Sequence, residues 1–277
     1  MTSWFTEKHT PHAGITIEVK RNIYHGKSEF QTLDIVDTFE FGRMFLLDGV
    51  VMLTERDEFV YHEMLAHVPL NTHPKPERVL VIGGGDGGTV REVLKHPQVK
   101  EVTLVEIDPM VMEAALEHLP GISDGLKDSR TTVVYEDGVQ FAADSPPESY
   151  DVILIDSTDP VGPAEALFRE GFFQDCANAL APDGVFVSQS ESPFYHLPFM
   201  VDIHRVMSRI YPGVGFYLAA VPTYPSGNWS FLMGVKAEGV SLPVCRDHVN
   251  LSTRYYDRRI HLGSFAIPRF LSEALEG

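Results

Sequence analysis

The chain has 277 residues, 44% of them hydrophobic, enough for one α/β domain with a smaller companion and a sizeable core, and this composition excludes disorder. Lys+Arg 22 against Asp+Glu 39 gives a formal net charge of −17, which argues against nucleic acid or an anionic membrane as the main partner. That charge suits a cationic ligand, but taken alone it fits a surface that keeps a protein soluble better.

The first residues, Met1 to Lys8, have no apolar run of signal-peptide type, and no stretch approaches transmembrane length, so a cytoplasmic location is expected. Further along, Ile15, Ile17 and Val19 alternate, Gly26 marks a break, and residues 30–36 form a second strand candidate. Phe41-Gly42 reads as a turn and 44–47 as a strand, with Asp48-Gly49 a hairpin signal before 50–53. This is a small antiparallel unit. Residues 58–68 read as a helix, and Thr72-His73-Pro74-Lys75-Pro76 is the strongest break in the pattern. Grouping that helix with the C-terminal part of the chain gives two domains, 1–57 and 58–277.

From Arg78 strands alternate with helices. The apolar run 79–82 suits a strand buried on both faces, followed by a glycine cluster and a helix over 89–95. Strand 102–105 leads to helix 109–118, with Pro109 where a first turn tolerates proline. Strands at 132–135, 152–155 and 185–188 continue the series, with helices at 138–143, 172–180 and 198–210. Segments 215–221 and 229–235 complete it as a hairpin-like edge. The expected fold is a doubly wound, mostly parallel Rossmann-like sheet of methyltransferase type, preceded by the antiparallel β domain. The two cysteines, Cys176 and Cys245, lie outside any metal-ligand spacing and fit a reducing compartment.

Ligands of such sheets bind beyond the carboxyl ends of the strands. Those ends read Gly83-Gly84-Gly85-Asp86-Gly87-Gly88, then Glu106, then Asp137-Gly138, then Asp156-Ser157-Thr158-Asp159. One carboxylate there is commonly a helix cap, as expected for Asp108, but four on successive strands mark a site. Gly83-x-Gly85-x-x-Gly88 matches the dinucleotide fingerprint, and Glu106, 23 residues after Gly83, is placed to accept from ribose hydroxyls. Asp86 puts negative charge where a helix N-terminus would hold phosphate, so a nucleoside with a cationic tail fits better than a pyrophosphate. Asp137 is placed to accept from an adenine amino group, with Pro163 and Ala164 along one wall of the base pocket.

Together with Tyr61-His62-Glu63-Met64, Asp156-Ser157-Thr158-Asp159-Pro160-Val161-Gly162-Pro163 and Pro222-Thr223-Tyr224-Pro225-Ser226-Gly227, these motifs resemble the spermidine synthases, the polyamine aminopropyltransferases. The resemblance runs from about residue 4 to 270. It implies transfer of the aminopropyl group of decarboxylated S-adenosylmethionine to putrescine, giving spermidine and methylthioadenosine, with no tightly bound cofactor and no metal. By the same resemblance Asp156 is the catalytic base. Gln31, His62, Asp86, Glu106, Asp137, Gly138, Pro163 and Ala164 bind the donor, while Tyr61, Asp156, Asp159, Tyr224 and Trp229 bind the acceptor. Gln189 and Glu191, which follow the next strand end, are further candidates for facing the acceptor. Relatives assemble through the N-terminal unit, which implies a homodimer or homotetramer here; Phe39, Phe41 and Met44 are either contact residues or interior to that unit. One departure is Met52, where many relatives carry a second Gln.

The residue types suit this chemistry independently. The donor is a sulfonium carrying a primary ammonium, whereas a methyltransferase must accommodate the methionine carboxylate, which Asp86 would repel. An exposed Asp, at about 3.9, is a poor base for an alkylammonium near 10, so the site must shift one or both. The alternatives are another amine acceptor (agmatine, cadaverine or spermidine), S-adenosylmethionine methyl transfer, an NAD-dependent oxidoreductase, and a non-enzymatic nucleoside- or polyamine-binding protein. Two decoys are set aside. His62 and His67, five apart, project about 140° from one another on a helix and miss the zinc-binding spacing. Ser190-Glu191-Ser192 near His196 lacks a nucleophile elbow.

Overall fold

The computed structural model describes residues 3–160, 162–246 and 250–276. Strands β1 (Ser3–Thr10), β2 (Ala13–Lys27), β3 (Thr32–Thr38), β4 (Arg43–Leu47) and β5 (Val50–Thr54) form one antiparallel sheet in chain order. Asp48 and Gly49, at φ 49° and 80°, make the hairpin that pairs Leu47 with Val50. The Asp48 carboxylate also accepts from the Thr32 amide at 2.8 Å, tying this turn to the start of β3.

Two features differ from the sequence reading. Gly26 does not break its strand, which runs to Lys27 with two register shifts that add twist. The polar segment at residues 3–10 is a strand, because pairing of Phe5 with Ile17 organises it. Met44 is fully buried and belongs to the interior of this sheet, Phe41 is half-buried against the same cluster, and Phe39 is 60% exposed.

Helix α1 (Glu58–Thr72) comes next, longer than expected because Pro69 falls in its last turn, where the Thr72 hydroxyl returns to the Val68 carbonyl. Nearly every side chain of α1 is buried, which places this helix between layers rather than on the surface. The chain then runs β6 (Arg78–Gly83), α2 (Gly88–Leu94), β7 (Glu101–Glu106), α3 (Pro109–His118), α4 (Pro120–Ser123), β8 (Thr131–Tyr135) and α5 (Gly138–Asp144). It continues through β9 (Tyr150–Asp156), α6 (Glu170–Ala179), β10 (Leu180–Gln189) and α7 (Leu197–Ile210). Last come β11 (Gly213–Ala219), β12 (Trp229–Val235), α8 (Arg258–Ser264) and α9 (Arg269–Glu276).

The second sheet has the order β11-β12-β10-β9-β6-β7-β8. Its five strands from β10 to β8 are parallel, and β12 pairs antiparallel with both β10 and β11. In β6, Val79 and Val81 pack with Val90 and Val93 of α2, whereas Leu80 and Ile82 pack with the layer of α6 and α7. That alternation explains an uninterrupted apolar run. The β domain docks through Leu33, Ile35 and Phe45 onto Val111 and Ala114 of α3. Among the described residues no helix is long and apolar enough to cross a membrane.

The chain leaves β6 toward β7 and β8, then returns to lay β9 on the other side of β6. The strand order therefore reverses between β6 and β9, where Gly83 and Asp156 are register partners. A crevice opens at such a point.

Candidate active site

The loop after β6 brings Asp86 and Asp156 to that crevice. Gly83, Gly84 and Gly87 have φ of 77°, 68° and 87°, which side chains rarely adopt. A Cβ on Gly84 would also stand 2.5 Å from Asp156 Oδ2, so the loop can close over this carboxylate only as glycine. Asp156 accepts from the Tyr61 hydroxyl at 2.9 Å on one oxygen and from the Thr89 hydroxyl at 2.6 Å on the other. Burial and then Asp86 push the Asp156 carboxyl above the usual carboxylate range, against His62, Thr89 and Tyr61, which lower it. Burial, with Asp156 beside it, holds the Tyr61 phenol well above its ordinary value, so Tyr61 stays a donor.

His62 faces carboxylates with both ring nitrogens. Nδ1 lies 2.5 Å from Glu58 and Nε2 lies 3.4 Å from Asp86. Burial alone would lower His62, but Asp86, Glu58 and Asp156 raise it to about 9. The His62 ring thus converges with the Asp86 and Asp156 carboxylates, with one polar atom of each within 4.8 Å of the others. His67 turns away toward Glu92 and His96, as its spacing predicts.

The end of β7 is organised around Glu106. Its carboxylate accepts from the amides of Gly85 at 3.1 Å and Asp108 at 2.9 Å. Burial pushes it up to about 7 despite those donors. Asp108 caps α3 through Met110 N and also accepts from Ser28 and from Gln31 Nε2 at 3.0 Å. Gln31 thus reaches the end of β7 through Asp108. Asp137 is exposed and caps α5, its carboxylate accepting from Val139 N at 2.8 Å. A Cβ on Gly138 would fall 2.2 Å from Ile82, so α5 begins directly over β6. Ala164 is buried in the 3₁₀ segment Gly162–Phe168, and the Pro163 side chain lies outside the described residues.

On the other side of Asp156, Tyr61, Tyr224 and Trp229 form a wall, with ring centroids 5.6 and 4.8 Å apart in succession. The Tyr224 hydroxyl donates to the Met52 carbonyl, so the backbone at Met52 is engaged whatever its side chain. Asp159, Glu7 and Gln189 line the same cavity. Burial, then Glu191, pushes Asp159 up to about 7. His196 Nδ1 stands 2.9 Å from Glu191, and His9 Nε2 stands 3.2 Å from Glu7. Thr89, Glu58 and Glu7 were missed by the sequence reading. Thr89 was findable as the first hydroxyl after the glycine loop and Glu58 as the residue four before His62; Glu7 was hidden by the unrecognised β1.

Comparison with known proteins finds matches that span nearly the whole chain. Residues 58–242 match the spermine/spermidine synthase domain and residues 3–55 the spermidine synthase tetramerisation domain. The polyamine aminopropyltransferase of Shouchella clausii is 48% identical over 277 residues, covering 100% of both chains. That of Bacillus subtilis is 46% identical over 273 residues, 99% of each. A crystal structure of a spermidine synthase in complex with the transition-state analogue AdoDATO superposes with a TM-score of 0.93 at 40% identity, covering 99% of this chain and 95% of that one. The spermidine synthase of Thermotoga maritima gives 0.90 at 39% identity, covering 99% and 94%. This chain belongs to the spermine/spermidine synthase family.

Proposed function

We propose that the protein is a spermidine synthase, transferring the aminopropyl group of decarboxylated S-adenosylmethionine to putrescine and releasing 5'-methylthioadenosine. The observation that carries this reading is Asp156, held by two hydroxyls between Asp86 and a second acidic cluster at Asp159 and Glu191. Relatives named polyamine aminopropyltransferase, and a similar structure holding AdoDATO, support it.

In this reading Glu106 takes the ribose hydroxyls, and Asp137 and Gly138 meet the adenine with Pro163 and Ala164. Gln31 and His62 complete the donor end, and Asp86 pairs with the aminopropyl ammonium. Tyr61, Tyr224 and Trp229 wall the slot for the diamine, whose far ammonium rests on Asp159. Asp156 takes a proton from the near nitrogen, which attacks the carbon bonded to sulfur. The carbon–sulfur bond breaks in line and a neutral thioether leaves. Catalysis is positioning plus charge, and burial eases the proton transfer by moving Asp156 toward the amine's value. The second acidic cluster favours a diamine over a monoamine, while chain length is set by fit worth only about 1–3 kcal/mol per methylene. Incubation with decarboxylated S-adenosylmethionine and putrescine, agmatine, cadaverine or spermidine tests the reading. Methylthioadenosine release fastest with putrescine is expected, and no release with any amine overturns it.

Glu106 gives the donor site a pH dependence. Its folded value of about 7 lies above the ordinary 4.5, so it is neutral at acid pH and ionised above about 7. Ribose hydroxyls donate best to the ionised form. Affinity for methylthioadenosine, measured by calorimetry, is therefore expected to rise between about pH 6 and 8, and Glu106→Gln to flatten that rise. The sign for folding is opposite, because ionising a buried group disfavours the folded state as pH climbs from 4.5 to about 7.

The match to a tetramerisation domain supports a homodimer or homotetramer formed through the β1–β5 sheet. Phe39, being exposed, is the better contact residue than Met44, and light scattering of the purified chain reads the mass directly.

A further inference from the structure

Beneath the glycine loop a line of alternating charges crosses from α1 to α2. Glu58 stands one turn before His62 and accepts from its Nδ1 at 2.5 Å. The same carboxylate receives both terminal nitrogens of Arg91, at 3.1 and 2.8 Å, a two-pronged pair with fixed geometry. Arg91 Nε continues to Glu92 at 2.8 Å, and Lys95 meets the other Glu92 oxygen at 2.6 Å. The Glu58 and His62 side chains are 7% and 3% exposed, and charges this deep persist only when paired.

The His62 ring is also confined by shape. A Cβ on Gly88 would lie 2.2 Å from its Cε1, and the Tyr61 ring stands edge-on to it at 5.5 Å. The remaining nitrogen, Nε2, faces Asp86 Oδ1, which also accepts from the Gly88 amide at 2.8 Å. Both contacts fall on one oxygen of Asp86 and leave the other for a ligand.

We propose that Glu58, clamped by Arg91, is a positioning residue: it sets the His62 ring so that Nε2 faces Asp86 and fixes that carboxylate at the donor end of the crevice. The kinetic part rests on the aminopropyl-transfer reading; the effect on the ring does not. The groups facing His62 are Glu58 on its own helix, Asp86 from the glycine loop, Asp156 from the end of β9 and the Tyr61 phenol, with Arg91 directly behind Glu58. With both nitrogens against carboxylate oxygens, the ring carries both protons, consistent with its value of about 9. Loss of the Glu58 charge would leave Arg91 as an unscreened like charge behind the ring. The ring would then release its proton at lower pH and loosen Asp86.

The test uses the full chain with Glu58→Gln, Arg91→Gln and Arg91→Lys, each checked for folding by circular dichroism. Imidazole nitrogen NMR, with the His62 signal identified by its loss in His62→Gln, tracks ring protonation. Methylthioadenosine release gives kcat/KM for the donor and KM for the amine. The wild-type ring is expected to stay protonated to about pH 9. In Glu58→Gln it should titrate at least about one pH unit lower, with donor kcat/KM down about 10–100-fold, a typical loss when the group orienting a functional histidine is removed. The amine KM should change far less. Arg91→Gln removes a like charge together with the clamp, so it should lower donor kcat/KM by less while leaving the ring titration unchanged or higher, and Arg91→Lys should restore most of the rate. A folded Glu58→Gln with an unchanged ring titration overturns the proposal, as does a rate loss falling equally on donor and amine. If Glu58→Gln does not fold, Arg91→Gln carries the rate readout, and a folded Arg91→Gln with unchanged donor kcat/KM overturns the proposal. Failure of the transfer reading is separable: wild type would then release no methylthioadenosine, while the ring titration would still decide the role of Glu58.

Discussion

Asp156→Asn is expected to lower the rate of methylthioadenosine release about 10²–10⁴-fold, the range for removing a positioned general base. The substitution is nearly isosteric, so the Tyr61 hydroxyl keeps an acceptor and the new amide meets the Thr89 oxygen. What disappears is charge and basicity. Because burial already raises the Asp156 carboxyl, removing its charge relieves a desolvation cost, and the melting temperature should be unchanged or higher. A rate loss without a stability loss therefore separates chemistry from packing. If the base serves to deprotonate the amine, the Asn variant should recover as pH approaches the amine's own value of about 10, where a neutral nitrogen is supplied by solution. Single-turnover release of methylthioadenosine between neutral and alkaline pH reads both effects. Near-wild-type release by a folded Asn variant at neutral pH would remove Asp156 from the role of base.

Where the sequence was readable, physics explains it. The run Val79–Ile82 signals a strand because both faces of β6 meet helices, and residues 229–235 match β12 to the residue. The carboxylates at the strand ends were legible because the topology of a parallel sheet brings those ends together; Gly83 and Asp156 do meet at the reversal of strand order. Partnerships remote in sequence were not legible. Gln31 to Asp108, Thr89 to Asp156 and Arg91 to Glu58 each join residues 33 or more apart, and no local pattern encodes them. β1 escaped for a related reason. Its polar residues gain strand geometry only from pairing with β2, which is how Glu7 comes to be buried beside the cavity and to accept from Val51 N at 2.7 Å. Helices α8 and α9 also went unread. They are 7 and 8 residues long, too short for periodicity to stand out.

The second large effect concerns stability rather than chemistry. Glu63 lies in the middle of α1, 1% exposed, one residue beyond His62. Its carboxylate accepts three backbone amides from the C-terminal segment, those of Arg254, Tyr255 and Tyr256, each at 2.8 Å. The segment is held further by the Tyr256 hydroxyl, which meets Asn71 at 2.9 Å and His261 at 2.8 Å. The anchor therefore fastens the end of the chain to the same helix that presents Tyr61 and His62. Glu63→Ala would strand the buried amide of Tyr256 and the part-buried amides of Arg254 and Tyr255, the fully buried one costing about 1–3 kcal/mol without an acceptor and the others less. Partial opening of the segment to water limits the sum, so a loss of about 3–5 kcal/mol is expected, a large fraction of the typical 5–15 kcal/mol. The melting temperature should fall by about 10 °C. Glu63→Gln keeps one acceptor oxygen but turns an N–H toward at least one amide, and its loss should be intermediate. Hydrogen exchange at residues 254–256 should accelerate in both variants before the amides of β6 and β9 do, because the segment can open while the sheet stays closed. A Glu63→Ala protein that melts within about 2 °C of wild type, with those amides still protected, would mean that the segment is held by its aromatic packing instead.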